Sequence, residues 1–591
     1  MKTVMKYYRR YLPLVIAIVG LLFGQAMCEL ALPGYMSDII NNGIIKTDMD
    51  YIYKIGIIML IVAAVSAVFS ISANGVAARV AAFTSRDIRS ALFRRVTAFS
   101  KAELEDFSTA SLITRSTNDV QNIQQTTVMA LRFAIFAPCM GIGALIKAVR
   151  TSPGLTWTIG VGLICIVCIM IILFIAVMPK FKVLQSKLDR LNLIVKERLE
   201  GLLVIRAFNT EKYEEDRFDV ANIDLTKLNV FINRAMSILM PAMTLIMNLL
   251  GIIIVWFGAK LVDTNSLMIG DILAFLQYAI QVIMSFLFIT MMFILLPRAA
   301  VSANRIGEVL DKEPTILDPE NAGDAKSSDS SKISGRSNVK KGFIEFKNVS
   351  FAYPDASENT LEDVSFTAEP GQTTAIIGST GSGKSSLVTL IPRFYDVTGG
   401  EIDIDGIDVR DQTQHDLHQR IGLVPQKGLL FSGTIATNLM YGKEDATDEE
   451  MIEACETAQA MDFIREMPDG LDTPVSQGGT SVSGGQKQRL AIARALIKKP
   501  EIFIFDDSFS ALDFKTDAAL RKALKERSGD STFMIVAQRI NTIMDADKII
   551  VLNEGRIAGI GTHRELLKTC GVYKEIALSQ LSEEELGREG A

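Results

Sequence analysis

The chain has 591 residues, 49% of them hydrophobic and 22% charged, with a formal net charge of −6. A mean hydropathy of +0.27 predicts membrane segments beside a large water-soluble portion, while ordinary Gly (42) and Pro (16) contents exclude disorder and fibrous repeats. No basic excess exists to favour nucleic acid as a partner. The six cysteines, Cys28, Cys139, Cys165, Cys168, Cys455 and Cys570, are scattered. Cys165 and Cys168 form a CxxC inside an apolar run without partner ligands, which reads as two small buried side chains. Nothing suggests a disulfide framework.

A bilayer core needs about 20 apolar residues per helix. Six stretches meet this, near Leu12–Met36, Ile55–Ala78, Val128–Ala148, Leu155–Met178, Ala235–Val262 and Ile272–Leu296. The first follows Lys2, Lys6, Arg9 and Arg10, and no small-residue cleavage site comes after it, so a retained membrane helix is expected. Arg79, Arg86, Arg89, Arg94, Arg95, Lys101 and Arg115 follow span two; Lys180, Lys182, Lys187, Arg190, Lys196 and Arg198 follow span four. The positive-inside rule then places both termini in the cytoplasm of a six-span protein in a lipid bilayer. The two cytoplasmic connections, about residues 79–126 and 179–234, are long and rich in helix formers. Two helices of roughly 24 residues each would carry each arm about 36 Å from the membrane. Arms of that length suggest mechanical contact with something cytoplasmic.

Residues 322–341, NAGDAKSSDSSKISGRSNVK, read as a flexible linker between a transmembrane domain at 1–321 and a soluble domain at 342–591. From Gly342 on, β-type runs (FIEFKNVSF, TTAIIG, IFIFDD, TFMIVA, KIIVLN) alternate with amphipathic stretches, which argues for an α/β domain with a largely parallel sheet.

Gly378, Ser379, Thr380, Gly381, Ser382, Gly383, Lys384 and Ser385 fit GxxxxGK[ST], between the apolar strand Thr373–Ile377 and the helical run SSLVTLI, which includes Ser386. Glycines let backbone N–H groups turn toward phosphate oxygens, and a helix N-terminus adds partial positive charge. Lys384 would reach the β- and γ-phosphates, and Ser385 would ligate Mg²⁺. The apolar strand Ile502–Phe505 ends in Asp506 and Asp507; Asp506 would hold the Mg²⁺.

Val482, Ser483, Gly484, Gly485 and Gln486, continuing KQRLAIARAL, resemble the signature motif of ABC transporters. Val424-Pro425-Gln426 resembles the Q-loop, Ser510-Ala511-Leu512-Asp513 the D-loop, and Tyr353 the aromatic A-loop residue. The whole chain resembles an ABC exporter half: a helical six-span domain followed by a P-loop nucleotide-binding domain. The resemblance implies that Tyr353 stacks on adenine, that Gln426 touches Mg²⁺ and links to the arms, and that Ser483, Gly484 and Gly485 bind ATP held by a second half-transporter. It places coupling helices near Phe107–Thr114 and Phe208–Phe218.

Two positions depart from the pattern. Asp507 stands where the family usually has a Glu that polarises the attacking water, and Gln538 stands where it usually has a His. The shorter carboxylate sits about 1 Å back, a displacement that can cost about 10²-fold in rate, and Gln carries no charge near neutral pH. The three histidines, His415, His418 and His563, do not fit the role. Gln477 replaces a frequent Glu ahead of the signature. The expectation is a heterodimeric multidrug exporter: this chain binds ATP at a degenerate site and lends its signature to the partner's hydrolytic site. The cargo expected is an amphipathic small molecule. A peptide or lipid exporter subunit, or an ATP-gated regulatory subunit, is the alternative. Within the spans, Glu29 and Arg132 are functional candidates that helix packing or snorkelling also explains. In span six, Met284, Met291 and Met292 with Phe286, Phe288 and Phe293 suit either a soft ligand wall or ordinary packing.

Overall fold

The computed structural model describes residues 2–319 and 341–581, apart from 265, 355 and 528. The side chains at 2, 182, 293 and 294 lie outside that description, as does all of the expected linker but its last residue. The chain divides into two compact units: Met1–Thr97 with Ala110–Lys312, and Ala98–Thr109 with Glu313–Ala591.

The first unit consists of six helical rods, Thr3–Ile44, Met49–Thr97, Thr109–Thr151, Pro153–Glu200, Glu211–Asp263 and Ile269–Asp311, of 42 to 53 residues. At 1.5 Å per residue these reach about 63–80 Å, twice the roughly 30 Å apolar core of a bilayer, so each span continues as helix beyond it. Each rod carries an apolar window, yet only 6% to 28% of each window is buried within the chain. The rest faces outward, as lipid or a second subunit requires. The larger buried seam joins spans one, three, four, five and six, with Leu30, Ala144, Ile159, Leu250, Phe275, Tyr278 and Ile283 among its residues; a smaller one joins spans one and two through Ile18, Leu22, Ala73 and Ala77. Gly143 permits the close approach in the larger seam, because a Cβ at that position would collide with Leu30.

A polar knot closes the end of this bundle opposite the N-terminus. Span one ends in a widened π-type turn, Ile39–Ile44. Ser37 Oγ donates to Asp271 Oδ1 (2.6 Å), Asn41 Nδ2 donates to the same oxygen (3.2 Å), and the Gly270 N–H donates to Asn41 Oδ1 (2.8 Å). Span one is thereby tied to the start of span six. Deeper in the bundle, Glu29 accepts from Gln25 Nε2 at 2.8 Å and from Ser66 Oγ at 3.5 Å. The Arg132 guanidinium lies 5.3 Å from the Phe133 ring centroid, and Phe133 stacks on Phe288 (4.8 Å). Met284 and Met291 are exposed. Cys165 and Cys168 are also exposed, a correction to the burial expected of them: an apolar run satisfies lipid as well as a protein core.

Among the described residues, the second unit has two larger sheets and a small two-stranded one, Gly433–Thr434 with Pro474–Val475. Strands Ile344–Phe351, Leu361–Ala368, Gly399–Ile404 and Ile407–Asp408 form an antiparallel sheet. A six-stranded sheet runs in the order Arg556–Gly561, Lys548–Asn553, Thr373–Gly378, Thr532–Val536, Ile502–Asp506, Ile421–Val424. All its pairings are parallel except the first. Strands buried on both faces read as unbroken apolar runs; accordingly Ile502–Phe505 and Thr532–Val536 are buried throughout. The carboxyl ends of the three central strands, at Gly378, Asp506 and Val536, open on one edge, where ligands of parallel α/β sheets bind.

Candidate nucleotide site

The strand Thr373–Gly378 runs into a loop whose glycines carry the turn: Gly381 has φ +85° and Gly383 φ +95°. A Cβ on Gly383 would lie 2.7 Å from Leu361 Cδ2 and 3.0 Å from the Thr360 carbonyl, so no larger residue fits. The helix Lys384–Leu390 follows directly, and its first N–H groups have no partners within the helix. The Lys384 ammonium curls back to donate to the carbonyls of Gly378 (2.9 Å) and Ser379 (2.7 Å). Burial draws its pKa down, against the opposing pull of Asp507 and Asp506.

The Ser385 hydroxyl donates to Asp506 Oδ1 at 2.9 Å. Burial raises the Asp506 pKa, partly offset by that bond. A hydroxyl and a carboxylate oxygen brought this close form the start of a hard, all-oxygen site of the kind Mg²⁺ prefers. The residues therefore fit a Mg²⁺ that would be held by Ser385 and Asp506, with Gln426 alongside.

Asp507 adopts a left-handed conformation, φ +49°, fixed by its N–H donating to Val536 O (3.0 Å). Its carboxylate is nearly enclosed, with the residue 8% exposed. Oδ2 accepts from Gln538 Nε2 (3.0 Å) and from Gln426 Nε2 (3.2 Å). Both departures noted in the sequence thus meet at one oxygen.

Beside the phosphate loop, the Tyr353 hydroxyl is bonded to Ser386 Oγ at 2.8 Å. Its ring stands at 89° to Tyr395, 5.3 Å away. The Lys101 ammonium lies 5.4 Å from the Tyr395 ring centroid. The ring is thereby oriented rather than free.

Ser483 caps the helix Gly484–Leu496. Its N–H donates to Gln486 Oε1 (2.8 Å), and the Gln486 N–H donates to Ser483 Oγ (3.3 Å). Ser483 and Gly484 are exposed, and nothing would obstruct a Cβ at Gly484. Among the described residues, neither Ser483 nor Gln486 bonds to the phosphate loop. At Gly484 the helix start faces open space. Asp513, expected at the nucleotide, accepts from the N–H (3.0 Å) and hydroxyl (2.7 Å) of Thr516, so it serves the first turn of the helix Phe514–Arg527. Those bonds lower its pKa.

Residues 15–286 match the family model described as the ABC transporter transmembrane region, and residues 361–510 the model described as ABC transporter. The chain belongs to the ABC transporter family. It is 39% identical over 578 residues to an uncharacterized ABC transporter ATP-binding protein of Mycobacterium tuberculosis, covering 97% of each. Over 597 residues it is 36% identical to the YfiB ABC transporter ATP-binding protein of Bacillus subtilis, covering 100% of each. It is 33% identical over 471 residues, 79% of this chain and 71% of the relative, to a protein of Mycobacterium bovis named a fatty acid ABC transporter ATP-binding/permease protein. Its fold is similar to that of a bacterial Atm1-family ABC exporter solved with ATP bound (TM-score 0.78, 25% identity, covering 97% of this chain and 98% of that one).

The protein is therefore a multi-pass ABC half-transporter with an exporter fold, and its soluble domain is an ATP-binding ATPase domain. In this ABC transporter, the segment expected near 107–114 contains the short helix Thr109–Thr114. Another short helix, Lys101–Asp106, precedes it. It begins at a capping box, in which the Ser100 N–H and hydroxyl both donate to Glu103 Oε2 (2.7 and 2.6 Å). The Thr315 N–H donates to Glu103 Oε1 (3.1 Å), and this segment belongs to the nucleotide-binding unit. The helix Thr109–Thr114 begins the next membrane rod. At the second place, Phe208 and Tyr213 flank the start of the helix Glu211–Ser237 with exposed rings. Gln580, which no sequence motif marks, touches the backbone of Gln538.

Proposed function

We propose that this chain is one half of a heterodimeric multidrug exporter, holding ATP at a degenerate site and lending its signature to a partner's hydrolytic site. The observation that carries this is the Asp507 carboxylate, short by one methylene and bound on one oxygen by two neutral amides. A catalytic base must present a free, well-placed lone pair to the attacking water. Here the acid is set back, and one oxygen is already committed to Gln426 and Gln538.

Binding is better provided for than cleavage. The phosphate loop, Lys384, Ser385, Asp506 and the oriented ring of Tyr353 supply a cradle, an ammonium, oxygen ligands and a stacking face. Bound Mg²⁺ would neutralise phosphate charge and orient the γ-phosphate. The exposed start of the helix Gly484–Leu496 supports the partner role: it offers backbone N–H groups to an anion and, among the described residues, makes no bond to its own chain's phosphate loop. Partner and cargo share the reasoning from resemblance. An amphipathic small molecule fits a cavity of about 850 Å³ in the membrane unit. Leu12, Val15, Leu131 and Leu296 line it, with Tyr8 and Arg9 among the polar groups. The relative named for fatty acids also favours an amphipathic cargo.

The test is ATPase activity of the purified chain alone and with its partner. Turnover only in the pair, lost on neutralising the partner's acid and kept on Asp507→Asn, supports the assignment. Substantial turnover by the single chain contradicts it.

A further inference from the structure

The C-terminal helix Gly571–Leu578 is anchored by the fully buried side chains of Tyr573 and Ala577, and Leu581 packs against the same core. Between these anchors, the side chain of Gln580 turns back onto the segment that leaves the strand Thr532–Val536. Its Nε2 donates to the Gln538 carbonyl at 2.8 Å, and the Ile540 N–H donates to its Oε1 at 2.9 Å. Ile540 opens a four-residue helix whose cap residue, Arg539, offers no side-chain bond. Its N–H therefore needs a partner from elsewhere. A primary amide donates and accepts through two atoms at fixed separation, and Gln580 uses both to grip the backbone on either side of Arg539. The side chain of the residue so gripped, Gln538, is the one that donates to Asp507 Oδ2 at 3.0 Å.

We propose that Gln580 is a positioning residue of this chain's nucleotide site: by clamping the turn 538–540 it aims the Gln538 amide, and so sets how long the chain retains a nucleoside triphosphate. The inference rests on the reading of this site as one that holds ATP. Gln580 does not touch the nucleotide itself; it acts through Gln538. The helix Gly571–Leu578 thereby bears on the turn that carries Gln538, and displacement of that helix would loosen the site.

The test uses the full chain in lipid nanodiscs and the dissociation rate of a non-hydrolysable ATP analogue, adenylyl imidodiphosphate, with Mg²⁺. Gln580→Met keeps the length of the side chain and its packing but loses both bonds. Gln580→Glu keeps the acceptor for the Ile540 N–H and loses the donor. Each is measured alone and in a Gln538→Ala background, with the thermal midpoint recorded. The expected result is release about 3- to 10-fold faster for Gln580→Met, the scale of one or two net hydrogen bonds. Gln580→Glu should fall between it and the native chain, and Gln580→Met should add nothing once residue 538 is Ala. Native release rates in Gln580→Met, or the same acceleration whether or not the Gln538 side chain is present, would overturn the proposal. Because the analogue is not cleaved, brisk ATP hydrolysis by the native chain would sink the degenerate-site reading without altering this comparison.

Discussion

Asp507 Oδ2 receives hydrogen bonds from Gln426 Nε2 at 3.2 Å and Gln538 Nε2 at 3.0 Å, so the two sequence departures form one interacting unit. Restoring the longer acid and the imidazole together should create a water-activating pair. The double variant Asp507→Glu, Gln538→His is expected to raise turnover at this site by about 10- to 100-fold, the scale of a 1 Å placement error. The assay is steady-state ATPase of the pair with the partner's own acid neutralised. Either single change should give less than the double, because each leaves one half of the contact in place.

Tyr353 is oriented by Ser386 and by Tyr395. Tyr353→Ala should weaken ATP binding by about 5- to 150-fold, as loss of a base-stacking ring costs roughly 1–3 kcal/mol. Tyr353→Phe keeps the face and loses only the bond to Ser386, so its effect should stay within about tenfold. Equilibrium binding of a fluorescent ATP analogue distinguishes the two.

Asp271 collects donors from Ser37, Asn41 and the Met268 N–H. Asp271→Ala leaves these groups without their acceptor and should destabilise the membrane unit by about 1–3 kcal/mol. Asp271→Asn, which keeps one acceptor oxygen, should cost less. Thermal unfolding in detergent, followed by trapping of newly exposed thiols, would rank the variants.

Burial pushes the Cys455 thiol up to about 12. A pKa above its ordinary value keeps the group protonated at neutral pH, and only the thiolate reacts quickly. Maleimide labelling at neutral pH should therefore spare Cys455 in the folded protein and reach it on unfolding. Fast labelling of native Cys455 would mean that the core around it opens readily.

What the sequence disclosed was what local spacing encodes. The six apolar windows had to be read as spans because nothing else buries some 20 apolar residues in a row, and the strand-loop-helix around Lys384 is a contiguous pattern. Features that depend on distant partners stayed hidden. The helix Lys101–Asp106 joins the nucleotide-binding unit through Glu103 and Thr315, 212 positions apart. Gln580 meets Gln538 and Ile540 across 42 and 40 positions. No local pattern marks either pair. The Ser100…Glu103 capping box is a local pattern that marks the start of the helix Lys101–Asp106. At Asp513 a motif position also serves a local purpose, accepting from the N–H and hydroxyl of Thr516.

The most direct measurement of the central claim is ATP turnover by the purified chain alone, set beside turnover by the chain with its companion half. The account predicts tight nucleotide binding with slow hydrolysis for the single chain, and rapid hydrolysis in the mixed pair that survives Asp507→Asn. Rapid hydrolysis by a symmetric pair of these chains, abolished by Asp507→Asn, would contradict it.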